Sequence, residues 1–199
     1  MFGEDYAYAV ARIRVLETGL LNQAAIEQLL ACQDEQQCLQ LLTEKGWGNG
    51  DPAAGADAIL SREREKIWEI MDSLVADRSV FSVLSYQDLF HNLKAAVKAS
   101  ILADAVPNIF FSDCAVDGED MVKFLRDKEY DRFPEYMREI AREAYETFLY
   151  TRDGQLADII VDRAALDAIK KAGERSKEEI VRQYAESTVA VADIRIAVR

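Results

Sequence analysis

Apolar residues recur at steps of three and four along nearly the whole chain, the repeat of a helix that buries one stripe. Tyr6, Ala9, Ile13, Leu16 and Leu20 set the first stripe. Asn22 is placed to N-cap a helix over 23–32, and Asp34 with Gln37 makes a capping-box pattern opening a helix that Gly46 closes. A long charged helix is expected from about 56 to 77, with Ile59, Ile67, Ile70 and Leu74 on its inner side. The next spans 79–103, striped by Val83, Tyr86, Phe90, Leu93, Val97 and Ile101. A short helix near 118–126 precedes Pro134, which suits the first turn of a helix reaching Arg152 along Met137, Ala141, Ala144 and Phe148. Gly154 separates that helix from one over 155–173, and Ser176-Lys-Glu-Glu179 reads as the capping box of the last. No run of six residues alternates convincingly with period two, so the pattern predicts an all-α, multihelical chain.

An internal repeat organises these helices. Asn92-Leu-Lys-Ala-Ala-Val-Lys98 aligns with Asp193-Ile-Arg-Ile-Ala-Val-Arg199 at an offset of 101 residues, every pair identical or chemically close. Both copies fall late in a long helix that follows another long helix. The repeat predicts two similar helical units, 1–104 and 105–199, with a boundary near Asp104. The helix opened at Ser176 has no stop signal after it, so the sequence reads as ending inside a repeated motif, with a third unit expected beyond it.

Composition narrows the functional classes. With 199 residues, half of them hydrophobic, the chain has material for one large core or two small ones. A net charge of −12 argues against non-specific grip on nucleic acid or anionic lipid, which needs a Lys/Arg excess. The longest uncharged stretches, Thr18–Ile26 and Ser79–Gln87, are nine residues each, well short of the ~20 a spanning helix requires. Glu4 and Asp5 precede any apolar run, unlike a signal peptide, and the scattered Cys32, Cys38 and Cys114 suit a reducing cytoplasm.

Tyr86-Gln-Asp-Leu-Phe-His-Asn-Leu-Lys94, with Lys98 one turn on, resembles the tyrosine–aspartate–histidine–asparagine–lysine helix of the C subunit of V/A-type ATPases, the family of the eukaryotic d subunit. Tyr6-Ala-Tyr-Ala-Val-Ala-Arg-Ile-Arg14 with Glu17 is similar to that family's first helix, and Asp158-Ile-Ile-Val-Asp162-Arg163 to the aspartate-rich start of its second unit. The second copy departs from the first at Ala192, where His91 has no counterpart, and at Asp193 in place of Asn92. The resemblance implies three similar helical units forming a funnel, and a rotor spacer joining the central stalk to the membrane proteolipid ring. Such a part would be cytoplasmic and peripheral, touching the membrane only through the ring, with no cofactor and no catalysis of its own. The alternative is a free-standing helical scaffold or adaptor that merely shares helical patterning.

Candidate chemistry is sparse. His91, the only histidine, shares a helix face with Lys94 and Lys98, where neighbouring positive charge makes it a poor metal ligand and a poor base; Asp88 lies one turn back and partly offsets it. Asp88, His91 and Lys94 therefore read first as a local helix-face ion cluster and second as a partner contact; Asn92 is a candidate only as a member of the motif. Lys94/Lys98 and Arg195/Arg199 are like-charge pairs four residues apart, and repel unless something acidic sits opposite; internal salt bridging is the default expectation and an acidic partner surface the alternative. Residues 105–163, with fourteen acids and eight bases, could supply that surface, and Glu119, Asp120 and Glu129 within them are candidates for docking basic residues of stalk or ring. The glycines of 46–55 lack Gly-Lys-Ser/Thr and a preceding strand, so no direct nucleotide binding is expected. Cys32 and Cys38 have no second metal-ligand pair nearby, and no zinc site is expected.

Overall fold

A computed structural model describes residues 7–51, 55–75, 78–102, 109–112 and 114–198. Among them are nine α-helices and three short 3-10 helices, and no strand. The helices are α1 (Ala7–Glu17), α2 (Gln23–Leu30), α3 (Glu35–Glu44), α4 (Ala56–Leu74), α5 (Tyr86–Ile101), α6 (Gly118–Asp127), α7 (Glu135–Thr151), α8 (Gly154–Arg175) and α9 (Glu179–Val198).

The chain divides into two compact units, Met1–Arg78 and Ser79–Arg199. This break lies well before the one expected from the repeat near Asp104, which itself falls outside the described residues. The two divisions follow different properties: the repeat follows sequence likeness, whereas compactness follows packing, and α5 packs against α6, α7 and α8.

In the first unit the N-caps form as the sequence predicts. Asn22 Oδ1 accepts from the Ala25 N–H at 2.9 Å, and Asp34 Oδ1 from the Gln37 N–H at 2.8 Å. Gln37 returns a bond by accepting from the Gln33 N–H at 3.1 Å, one residue before the cap. The glycine loop is a structural clasp. Gly46, Gly48 and Gly50 all take positive φ, and a Cβ on Gly48 would lie 2.7 Å from Cγ1 of the fully buried Ile59. Glu63 Oε1 accepts the Gly48 N–H at 2.9 Å, and Lys66 Nζ donates to the Gly46 carbonyl at 3.1 Å, binding the loop to α4.

Two expectations for this unit fail in the same way: among the described residues, positions expected on an inner stripe are exposed. Ile67, expected inside α4, is 58% exposed, and α1 buries no residue at all, with Ile13 and Leu20 of its stripe exposed; Tyr6 lies outside the described residues. Periodicity defines a stripe but cannot guarantee that something covers it.

The second unit holds the main core. Leu89, Phe90, Leu93, Ala96 and Val97 of α5 meet Met121, Phe124 and Leu125 of α6, Met137, Ala141, Ala144, Tyr145 and Phe148 of α7, and Ala157 and Val161 of α8. All four predicted stripe residues of α7 are buried. Pro134 stands at the N-cap rather than inside the first turn, and Arg152 closes α7 in the left-handed conformation. A smaller cluster joins Val83 to Ile169 of α8 and Val181 and Ala185 of α9.

The helix expected over 79–103 is instead a 3-10 stretch, Arg78–Ser85, followed by α5. Serines compete for backbone bonds, and Ser85 Oγ donates to the Ser82 carbonyl at 2.8 Å. The capping box at Ser176 also does not close. The Ser176 N–H is taken by the carbonyls of Ala172 and Gly173 at the end of α8, so Glu179 turns forward to Arg182 and Gln183. That pairing holds the Glu179 carboxyl below the usual carboxylate range.

Candidate functional site

The motif singled out on α5 faces several neighbours at once. Asn92 is completely buried and pairs with the backbone of Phe111 in both directions: its Nδ2 donates to the Phe111 carbonyl at 2.9 Å, and its Oδ1 accepts the Phe111 N–H at 2.8 Å. A buried amide with both ends satisfied this way fixes a segment as a strand partner would. The exposed His91 reaches the same segment, its Nε2 lying 3.2 Å from the Ile109 carbonyl and its ring 4.7 Å from that of Phe111. Between them, Phe110 sits on Gly118 at the start of α6, where a Cβ would come within 2.2 Å of the phenyl ring. Residues 109–111 are thus held by three consecutive contacts, to His91, Gly118 and Asn92.

One helical turn further, the lysines find their acids inside the chain. Lys94 Nζ lies 2.6 Å from Asp162 Oδ1, and Lys98 Nζ 2.7 Å from Asp158 Oδ2. The two lysines are four residues apart and so are the two aspartates, so two facing helices register charge against charge like a two-rung ladder. The four side chains retain 27–58% of their exposure, so the rungs contribute modestly, about 1 kcal/mol together. The pairs fix the register of α5 on α8 more than they stabilise it. Lys94→Glu should therefore destabilise the second unit, and adding Asp162→Lys should restore most of the loss; urea midpoints at low and high salt measure both.

At the two ends of α5 other groups complete the arrangement. Tyr86 stacks on Tyr136 of α7 with centroids 5.5 Å apart, and burial next to that phenol pushes the Tyr136 hydroxyl up to about 12. Arg126 of α6 donates to the carbonyls of Ala99 and Ser100, capping the last turn of α5. Asp88 occupies the first turn of α5, half-buried. The motif is therefore an internal brace joining α5 to the 109–111 segment, α6, α7 and α8.

The acidic candidates lie apart from this brace. Glu119 and Asp120 occupy the first turn of α6 behind the N-cap Asp117, which accepts both of their N–H groups. Asp120 pairs with Lys123 at 2.8 Å and holds that ammonium above its ordinary range, while Glu129 lies 3.6 Å from Arg132. Arg132 in turn lies over the Phe124 ring at 4.6 Å. In the second copy of the repeat, Asp193 and Arg195 are exposed, and Arg199 lies outside the described residues. The two copies share sequence but not surroundings: Leu93 and Val97 are buried, whereas Ile194 and Val198 are 63% and 81% exposed.

Among the described residues there is no group of three His, Cys, Asp or Glu side chains that could hold a metal ion. A protein-family profile described as ATP synthase (C/AC39) subunit matches residues 9–199. The chain belongs to that family. No curated protein and no solved structure shows significant similarity to it. Membership makes this C/AC39 chain a subunit of a membrane-associated ATPase complex, and none of its described helices is long and apolar enough to cross a membrane.

Sequence reasoning missed Gly118, Arg126 and Tyr136, and it located the lysines' acids only to within residues 105–163. The lysine partners did leave a trace. Asp158 and Asp162 carry the same spacing of four as Lys94 and Lys98. Gly118 left none, because the need for a bare α-carbon arises only once Phe110 folds back onto it.

Proposed function

We propose that the chain is a non-catalytic coupling part of the rotor of a V/A-type ATPase, joining the soluble central stalk to the membrane proteolipid ring on the cytoplasmic face. The observation that carries this reading is the family match, which runs from residue 9 to residue 199. Physical support comes from the α5 brace: a part that transmits torque must resist shear between its helices, and close packing with fixed register does that. In this reading Asp88, His91, Asn92, Lys94 and Lys98 serve rigidity. Partner contact falls to charge at the surface, one set being Glu119, Asp120 and Glu129 and another Asp193 and Arg195.

Association with basic loops of ring or stalk through the acidic set would be steered by charge and slowed by salt. The triple variant Glu119→Gln, Asp120→Asn, Glu129→Gln should keep the helical content and bind isolated stalk and ring about tenfold more slowly at low ionic strength. Surface-immobilised stalk and ring, each titrated with wild type and variant, measure this. Failure of the wild type to bind either partner would favour the free-standing adaptor instead.

The ATP should be bound elsewhere in the complex. The glycine loop directs its Gly48 N–H to the Glu63 carboxylate, a group that repels phosphate where a nucleotide loop would attract it. Calorimetric titration with Mg-ATP should give no heat of binding at micromolar concentrations.

A further inference from the structure

Two of the three cysteines are brought together by the turn between α2 and α3. Cys32 directly follows Ala31, the C-cap of α2, and Cys38 lies in the first half of α3. The caps on either side fix the intervening backbone: Ala31 N–H bonds back to the carbonyls of Glu27 and Gln28, and Asp34 caps α3. Both thiols then point at the same place. The Cys32 thiol donates to the Gln28 carbonyl at 3.4 Å and the Cys38 thiol to the Leu29 carbonyl at 3.6 Å, adjacent acceptors in the last turn of α2. Each side chain is only partly buried, so a small reagent can reach it.

We propose that Cys32 and Cys38 are a dithiol site, oxidised reversibly to an intramolecular disulfide by a small-molecule disulfide, which ties the end of α2 to the first half of α3. Partial burial and a side-chain hydrogen bond with Cys38 both push the Cys32 thiol up, which suits it to act second. The Cys38 sulfur, as thiolate, attacks the external disulfide; one of its thiols leaves as thiolate and a mixed disulfide forms on Cys38. Cys32, losing its proton, attacks that sulfur and expels the second external thiol. Two protein S–H bonds and one external S–S bond are broken. One protein S–S bond and two external thiols result, so the two electrons pass to the oxidant and the two protons balance.

The folded 199-residue chain is treated with oxidised glutathione, alkylated and mapped by mass spectrometry. The proposal predicts a loss of about 2 Da confined to one cross-linked peptide holding Cys32 and Cys38, full reversal by dithiothreitol, and continued alkylation of Cys114. In Cys32→Ser the glutathione adduct on Cys38 should persist at roughly tenfold higher occupancy than in the wild type, because nothing resolves it. Stable adducts on both cysteines of the wild type without a cross-link, or a cross-link that appears only in denaturant, would overturn the proposal.

Discussion

Asn92→Leu should destabilise the protein by about 2–3 kcal/mol, although the substitution is close in size and adds apolar surface to a buried position. The loss comes from Phe111, whose N–H and carbonyl lose their pairing with the fully buried Asn92 amide. Leucine satisfies neither group. The 109–111 segment should detach first, so its amides should exchange faster than those of α7 in the same variant. Urea unfolding followed by helical circular dichroism, with hydrogen exchange on the native protein, measures both effects. His91→Ala, which removes only the exposed imidazole's contacts to the same segment, should cost much less.

Gly173→Leu should be at least as damaging, by about 3 kcal/mol. Gly173 is buried where α8 and α9 approach, and a Cβ there would lie 2.4 Å from the Cβ of Ala185. No rotamer change relieves a clash between two β-carbons, so the helices must separate and open the cluster of Val83, Ile169, Val181 and Ala185. Exchanging the two residues tests the cause. Gly173→Ala combined with Ala185→Gly keeps one methyl group at the crossing and should recover most of the stability lost in Gly173→Ala alone. Thermal melts of the set decide it.

The helices were legible in the sequence because their signals are local. Asn22 and Asp34 cap helices where a short polar side chain precedes an apolar stripe, and Met137, Ala141, Ala144 and Phe148 form the inner face of α7. What the sequence hid is what depends on neighbours. The capping box at Ser176 is a correct local pattern defeated by α8, whose carbonyls claim the Ser176 N–H first. Ile67 and the stripe of α1 are correct periodicities without a covering surface.

The α5 motif lies between these cases. Its lysine pair demanded an acidic counterpart, expected first inside the chain, and Lys94 and Lys98 pair there with Asp162 and Asp158. Arg195 raises the same demand on α9, exposed at the other copy of the repeat. Asn92 gave no such hint, since a lone asparagine on a helix is usually solvated, and its importance depends on burial that periodicity alone could not supply.

Coupling itself is the property to measure. The ATPase complex is reconstituted in proteoliposomes with and without this chain, and ATP hydrolysis and ion uptake are recorded together. Without the chain, hydrolysis should continue while ion uptake falls to background, and adding the purified chain back should restore uptake. Ion uptake at an unchanged rate in vesicles lacking the chain would contradict the coupling role.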